Sequence, residues 1–217
     1  MKSAGNDIVA LDAINIERTN DSRFYSKFIT PPELALFQPA LPFKTFVWLL
    51  WSVKEAAYKY LQRHDAGLIF SPAKLIVKAV YLPDNFYPTP FTSTWENDNT
   101  NEQFVTGIIT DGTNQLYFRS KIHTNVLATI VDEDKSFTNT FWGIRQIELA
   151  DSKSQSAGVR EFALARLRAV LNIDDLTIGK SDAGYPVVLN DGDLLGVALS
   201  FAHHEKFVGY SFDRGPF

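Results

Sequence analysis

Apolar and polar positions along the chain fall into two successive cycles of strand, helix and further strands. In the first cycle, residues 8–11 form a short apolar run, which predicts a buried strand. No Gly or Pro interrupts the stretch from Thr45 to Arg63, which predicts a helix. A second helix start is predicted at T-P-P-E, residues 30–33, since a Thr cap, an early Pro and an early Glu occur together. The remaining predicted strands of this cycle are 74–81, 104–110, 115–123 and 126–131.

The second cycle repeats the order of the first. A strand is predicted at residues 141–149 and a helix at 156–171, and three strands follow at 187–189, 195–201 and 207–212. The pattern therefore predicts an α+β protein made of two similar α+β halves. We place the boundary so that the halves are residues 1–135 and 136–217.

Composition and charge narrow the functional classes. The 217 residues carry 25 acidic and 21 basic side chains, a net charge of −4 that argues against general nucleic-acid binding. The absence of cysteine excludes disulfides and thiolate metal sites. Residues 34–51 are too interrupted by polar residues and prolines to span a bilayer, and the first 20 residues lack an apolar leader core. We therefore expect a cytoplasmic protein without membrane contact.

The segment W-S-V-K-E-A-A-Y-K, residues 51–59, is the richest in candidate chemistry. On a helix, Trp48, Ser52, Glu55 and Lys59 share one stripe, so that Glu55 and Lys59 lie side by side. One interpretation is a surface ion pair, which contributes only about 0.3–0.5 kcal/mol. The other is a functional site, favoured by the aromatic surroundings, and spacing alone leaves both open.

A second carboxylate stands near the chain start. Asp7 begins a buried-looking strand just after Gly5, a residue that lets backbone or ligand approach closely. A simple turn aspartate is the alternative. Together with Glu55, however, Asp7 would supply the one or two carboxylates that Mg²⁺ uses beside substrate phosphates.

Several separated segments resemble the motifs of the 4′-phosphopantetheinyl transferase superfamily. The closest is W-S-x-K-E-A-x-x-K at residues 51–59, and G-x-D at residues 5–7 is similar to the metal motif. The segment F-I-T-x-x-E, residues 28–33, resembles one found in the short carrier-protein synthases. G-Y-P at 184–186 and L-S-F-A-H at 199–203 are similar to the Gly-Lys-Pro and Ser-x-Ser-His segments of the family.

The order of these motifs implies an architecture. In the larger, surfactin-synthetase-activating type of the family, the half with the Ser-His segment comes first, whereas here the metal half comes first. The resemblance thus implies a pseudo-dimer of the family fold with its halves in swapped order, an active site in the cleft between them, and a monomeric chain. A short-type enzyme with a large insertion is the alternative.

The resemblance also implies an activity. The chain is expected to move 4′-phosphopantetheine from coenzyme A to a serine of an acyl or peptidyl carrier protein, with Mg²⁺, releasing 3′,5′-ADP. Asp7 and Glu55 would hold the metal, Glu55 would accept the serine proton directly or through water, and Lys59 would stabilise the leaving phosphate.

Further residues are expected to bind the coenzyme. Lys54 and Lys59 would add charge near the phosphates, while His203 and Arg160 are candidates for other phosphate contacts. The family positions corresponding to Tyr185 and Ala202 are a lysine and a serine that help to hold coenzyme A. These two departures favour an alternative function, a non-catalytic descendant that only binds coenzyme A or a carrier protein.

Two further alternatives stay open. A Mg²⁺-dependent nucleotide hydrolase could use the same carboxylates, although no motif specifies one.

Carrier proteins are acidic, so that Arg18, Arg23 and Lys27 could form a docking patch. The interleaved Glu17 and Asp21 fit a mixed-charge solvated loop equally well.

Overall fold

The structure is a computed structural model that describes residues 3–97 and 103–215. Its first layer is an antiparallel sheet of five strands, with a 20-residue helix packed against it. The strands in spatial order, and the helix, are β1 (Gly5–Ala10), β6 (Val126–Asp132), β5 (Gln115–Ile122), β4 (Val105–Thr110), β2 (Ile76–Tyr81) and α4 (Phe43–Gln62). Short helices between β1 and α4 are α1 (Ile16–Asn20), α2 (Ser22–Tyr25) and α3 (Pro31–Leu34).

The second layer is an antiparallel sheet of six strands with its own 20-residue helix. The strands in spatial order, and the helix, are β3 (Thr94–Glu96), β7 (Thr140–Gln146), β11 (Phe207–Asp213), β10 (Asp193–His204), β9 (Pro186–Asn190), β8 (Leu176–Lys180) and α5 (Ser152–Leu171). Asp151 caps the start of α5 through its side chain, and Asn172 ends it with φ of 55°. The α+β class expected from the two cycles is confirmed.

Most predicted elements are present within a few residues of their expected ends. The long helix of the first cycle begins at Phe43 instead of Thr45, and that of the second begins at Ser152 instead of Ser156. The T-P-P-E signal yields only a four-residue helix, in which the Glu33 carboxylate accepts a hydrogen bond from the Thr30 backbone N–H. The predictions omitted α1, α2, β3 and β8, each of eight residues or fewer.

The strand β3 complicates the expected boundary between halves. It precedes residue 135 in the chain, yet it pairs with β7 at the edge of the second sheet. The division at residue 135 stays a prediction, and with it the description as a pseudo-dimer. The match between two layers, each a helix on an antiparallel sheet, is what supports it.

The two sheets pack against each other where β1 meets β10 and β11. One apolar cluster fills the space between α4 and the first sheet, and another lies between α5 and the second. A third, which includes Ile8, Ile130, Trp142, Ala202 and Phe207, lies between the sheets. β1 is therefore buried along its whole length, covered by α4 on one side and by the second sheet on the other.

The packing of β1 on α4 depends on Gly5. A Cβ added there would lie 2.2 Å from the Ala56 carbonyl oxygen and 2.8 Å from the Tyr60 backbone nitrogen, closer than real side chains approach. The glycine anticipated as a point of close approach thus admits the backbone of the helix. The result is that Asp7, two residues later, faces the helix residues of the 51–59 segment. Within the described residues, no helix is both long and apolar enough to cross a bilayer.

Candidate active site

Asp7, Glu55 and Lys59 converge where β1 crosses α4. The Lys59 ammonium lies 3.3 Å from Glu55 Oε1 and 3.6 Å from Asp7 Oδ1, and it donates a hydrogen bond to the Asn6 carbonyl oxygen at 3.0 Å. The side chain of Asp7 is only 8% exposed, and those of Lys59 and Glu55 are 26% and 31% exposed. A half-buried cation between two carboxylates from different elements is not the solvated helix pair considered above.

The Asp7 carboxylate is held in an unfavourable environment. Burial raises its pKa to about 7, with the Lys59 charge opposing the rise and the Glu55 charge adding to it. Its Oδ2 atom is buried and has no hydrogen-bond partner at normal distance, and the same is true of the neighbouring Asn6 Oδ1. The Ser52 side chain and the Ile8 backbone N–H interact with the carboxylate only enough to oppose part of the rise in its pKa. A buried polar atom without a hydrogen-bond partner destabilises the folded state, so the arrangement of this site lowers the stability of the protein. Strongly perturbed carboxylates of this kind are typical of functional sites.

Trp51 completes the contacts of Glu55. Its indole N–H donates to Glu55 Oε2 at 3.1 Å, while the other carboxylate oxygen faces Lys59. Trp48, which the helical stripe had placed with Glu55, instead donates to the Thr19 hydroxyl at 3.0 Å. The Trp51 contact was missed although its i, i+4 spacing from Glu55 is readable in the sequence.

Lys54 does not join the site. Its side chain is fully buried, and its ammonium pairs with Glu33 at 2.7 Å and donates to the carbonyl oxygens of Phe28 and Pro72. Burial lowers the pKa of Lys54, and the Glu33 carboxylate opposes that effect. Every N–H donor of this ammonium has a partner within the protein. Lys54 was expected near the coenzyme phosphates, but its ammonium instead links α3 and the loops at Phe28 and Pro72 to α4.

The two adjacent histidines at the end of β10 face different surroundings. His204 Nδ1 accepts a hydrogen bond from the Ala10 backbone N–H at 3.2 Å, which ties β10 to the end of β1. The residue His203 is exposed as a whole, but desolvation of its ring and then the charge of Lys59 lower its pKa. The structure therefore brings His203, one of the predicted phosphate ligands, to the electrostatic surroundings of the carboxylate site.

Arg160 and Tyr185 lie in the second layer. Arg160 donates to the Ile178 carbonyl oxygen at 3.1 Å, a contact with β8 and not with the carboxylates. Tyr185, which stands where the family has lysine, packs under the Arg63 guanidinium at 4.5 Å from the ring centre. Arg63, at the end of α4, was missed by the sequence reasoning, because only the folded chain brings it to this segment.

A cleft of about 530 Å³ adjoins the carboxylate site. Asp7, Glu55 and Lys59 do not line it, but Trp51, which donates a hydrogen bond to Glu55, does, together with other aromatic and basic side chains. Of the three predicted docking cations, Arg18 and Lys27 line the cleft, whereas Arg23 is exposed and paired with Asp21 at 3.1 Å. The mixture of apolar and cationic residues in its lining suits an amphipathic, negatively charged ligand.

Asp7 and Glu55 could supply two of the ligands of a magnesium ion, with phosphate oxygens and water as the others. Across residues 3–97 and 103–215, no group of three His, Cys, Asp or Glu side chains is arranged to hold a metal. Two carboxylates, one of them with an unpartnered buried oxygen, are nevertheless the number that Mg²⁺ commonly takes beside phosphate oxygens and water. Asp7 and Glu55 are therefore suitable ligands.

Comparison with known protein families gives a match over the first part of the chain. A family model described as the 4′-phosphopantetheinyl transferase superfamily matches residues 3–131, which contain the first layer apart from the last residue of β6 and all three residues of the carboxylate site. Neither the curated proteins nor the solved structures give a significant match. The family model covers more than half of the chain, and the chain belongs to the 4′-phosphopantetheinyl transferase superfamily.

Proposed function

We propose that the chain transfers 4′-phosphopantetheine from coenzyme A to a serine hydroxyl of an acyl or peptidyl carrier protein. In this reaction the serine oxygen bonds to the β-phosphorus of coenzyme A, and the bond from that phosphorus to the leaving 3′,5′-ADP breaks. The observation that carries the proposal is the convergence of Asp7, Glu55 and Lys59 within the region that the family model matches. Trp51, which donates to Glu55, connects this site to the cleft.

Each residue of the site has a role in this reaction. Asp7 and Glu55 would hold Mg²⁺, which when bound neutralises charge on the pyrophosphate. Glu55 accepts the serine proton, since it is the more exposed of the two carboxylates. Lys59, already held by three acceptors, stabilises the negative charge that develops on the departing phosphate.

The adjoining cleft supplies the substrate contacts. Arg18 and Lys27 on its wall would attract the acidic surface of a carrier protein. His203, which does not line the cleft but whose pKa is affected by the charges of Lys59 and Glu55, would meet a phosphate of coenzyme A. We propose no phosphate contact for Lys54, because its ammonium is buried, and Arg160 stays a candidate only from the motif resemblance.

The architecture in this proposal is a monomer of two family-like halves. β1 and α4 present Asp7, Glu55 and Lys59, and β10 presents His203 from the second layer, so that one chain completes its own site. Sedimentation of the active protein as a monomer is expected. An obligate trimer would favour the short-type enzyme with an insertion.

A transfer assay tests the function. Protein, coenzyme A, Mg²⁺ and an apo carrier protein are incubated, and the intact carrier is weighed by mass spectrometry. The expected result is a carrier heavier by one phosphopantetheine group. In parallel, Glu55→Gln keeps the shape of the side chain but removes its charge, and should lower the rate by at least about 1,000-fold.

The same assay separates the alternative. Tyr185 and the buried Ala202 favour a descendant that binds coenzyme A without transfer. For such a protein, calorimetry would detect coenzyme A binding while several carrier proteins stay unmodified. Glu55→Gln that is as active as the unsubstituted chain at limiting Mg²⁺ would show that Glu55 is no metal ligand.

A further inference from the structure

We propose that Trp51 is a positioning residue, whose indole N–H fixes the Glu55 carboxylate in the orientation that binds the metal. The inference rests on the proposed function, since it assigns to Trp51 a part in that same site. Its basis is the 3.1 Å hydrogen bond from Trp51 Nε1 to Glu55 Oε2.

The hydrogen bond fixes a side chain that would otherwise be mobile. Glu55 is about a third exposed, and a glutamate in that position loses rotamer freedom when it binds an ion. Lys59 holds one carboxylate oxygen at 3.3 Å and Trp51 holds the other, so both oxygens are oriented from the same helix at i+4 and i−4. The folded protein thus orders the Glu55 carboxylate before a metal binds, so that metal binding loses less side-chain entropy.

The indole ring is itself held firmly. Phe28 packs edge-on against it at 5.1 Å between ring centres, and Phe70 packs edge-on from another side at 5.6 Å. Phe28 in turn is tied to α4, because its carbonyl oxygen accepts from Lys54. The direction of the Trp51 N–H is therefore set by packing, as a group that positions another one requires.

The chain offers a matched control in Trp48. It lies on the same helix three residues earlier, lines the same cleft, and uses its indole N–H in a hydrogen bond of similar length. Its acceptor, however, is the Thr19 hydroxyl and not a carboxylate of the site. Replacing either tryptophan by phenylalanine keeps an aromatic ring and removes one N–H donor.

The test compares Trp51→Phe with Trp48→Phe. The dissociation constant for Mn²⁺, used alone as the probe, is measured by the loss of the free-ion electron paramagnetic resonance signal. The Mg²⁺ concentration that gives half the maximal transfer rate is measured beside it. We expect both values to rise about tenfold for Trp51→Phe. For Trp48→Phe the Mn²⁺ dissociation constant should stay within about twofold, because the Trp48 N–H donates to Thr19 and not to a carboxylate. Thermal unfolding should shift similarly for the two variants.

The outcomes distinguish this inference from the function beneath it. If the unsubstituted chain binds Mn²⁺ and modifies its carrier while the two variants have equal metal affinities, Trp51 only packs the cleft, and the inference is overturned although the function stands. If the unsubstituted chain neither binds Mn²⁺ nor modifies any carrier, the proposed function fails and takes the inference with it.

Discussion

Two lysines five residues apart on α4 have opposite environments. Lys54 is fully buried, with a carboxylate and two carbonyl oxygens around its ammonium. Lys59 is a quarter exposed and lies between two carboxylates, one of which keeps a buried oxygen without a hydrogen bond. Lys54 and its partner Glu33 form a saturated network, whereas the surroundings of Lys59 leave polar groups available to a ligand.

Within one motif, Lys54 therefore stabilises the fold, whereas Lys59 is free to take part in the proposed reaction. Glu33 uses both oxygens on backbone N–H groups of Thr30 and Val77 as well as on Lys54, so no capacity is left for a substrate. A network of this kind specifies how segments dock. Around Lys59, by contrast, the carboxylates of Asp7 and Glu55 repel each other, and Asp7 Oδ2 has no hydrogen-bond partner at normal distance. Such a loss of stability is typical of sites that bind a ligand.

The largest expected effect is the loss of the buried pair. Lys54→Met should lower the free energy of unfolding by about 3–5 kcal/mol, because Glu33 is left as an uncompensated buried charge. Denaturant unfolding followed by circular dichroism measures it. The double variant Lys54→Met with Glu33→Leu should recover much of the loss, since it removes both charges. Equal instability of the single and double variants would contradict a saturated ion pair.

The same comparison shows what the sequence could and could not reveal. Asp7, Glu55 and Lys59 were predictable because a helical period and a short motif place them. The burial of Lys54 could not be predicted, because its partner Glu33 lies 21 residues away in the chain and local spacing does not reveal that contact. β3 was missed for a related reason: three residues carry no period, and only pairing with β7 makes them a strand.

The next effect concerns Lys59. Lys59→Ala should lower kcat by about 100-fold and change KM for coenzyme A much less, because its charge is used mainly when the leaving phosphate becomes more negative. Steady-state transfer kinetics at saturating Mg²⁺ measure both constants. Lys78→Ala, an exposed lysine on β2, is the control and should leave both unchanged. A rise in KM alone would make Lys59 a residue that binds the ground state.

The smallest effect, and the most informative about the unsaturated site, is a gain in stability. The pKa of Asp7 is raised from 3.8 to about 7 in the folded protein, chiefly by burial. Between these values the unfolded chain releases the proton while the folded chain keeps it, so this carboxylate makes stability fall as pH rises from about 4 to 7. In the Asp7→Asn variant the side chain cannot ionise, so the stability of the variant does not fall with rising pH for this reason. Without metal, we expect the variant to be more stable than the parent at pH 8 and to lose most of that advantage by pH 4.5.

Denaturant unfolding at the two pH values, with a chelator present, measures this difference, and the transfer assay should show the stabilised variant to be inactive. Asp151→Asn is a suitable control, because hydrogen bonds from Ser154 and Lys153 lower the pKa of the Asp151 carboxyl group. Its replacement removes a charge that the fold stabilises and should not make the protein more stable at either pH. A stability difference for Asp7→Asn that is the same at both pH values would mean that the carboxylate is not destabilised by its burial. The contrast between the two lysines would then lie in exposure alone.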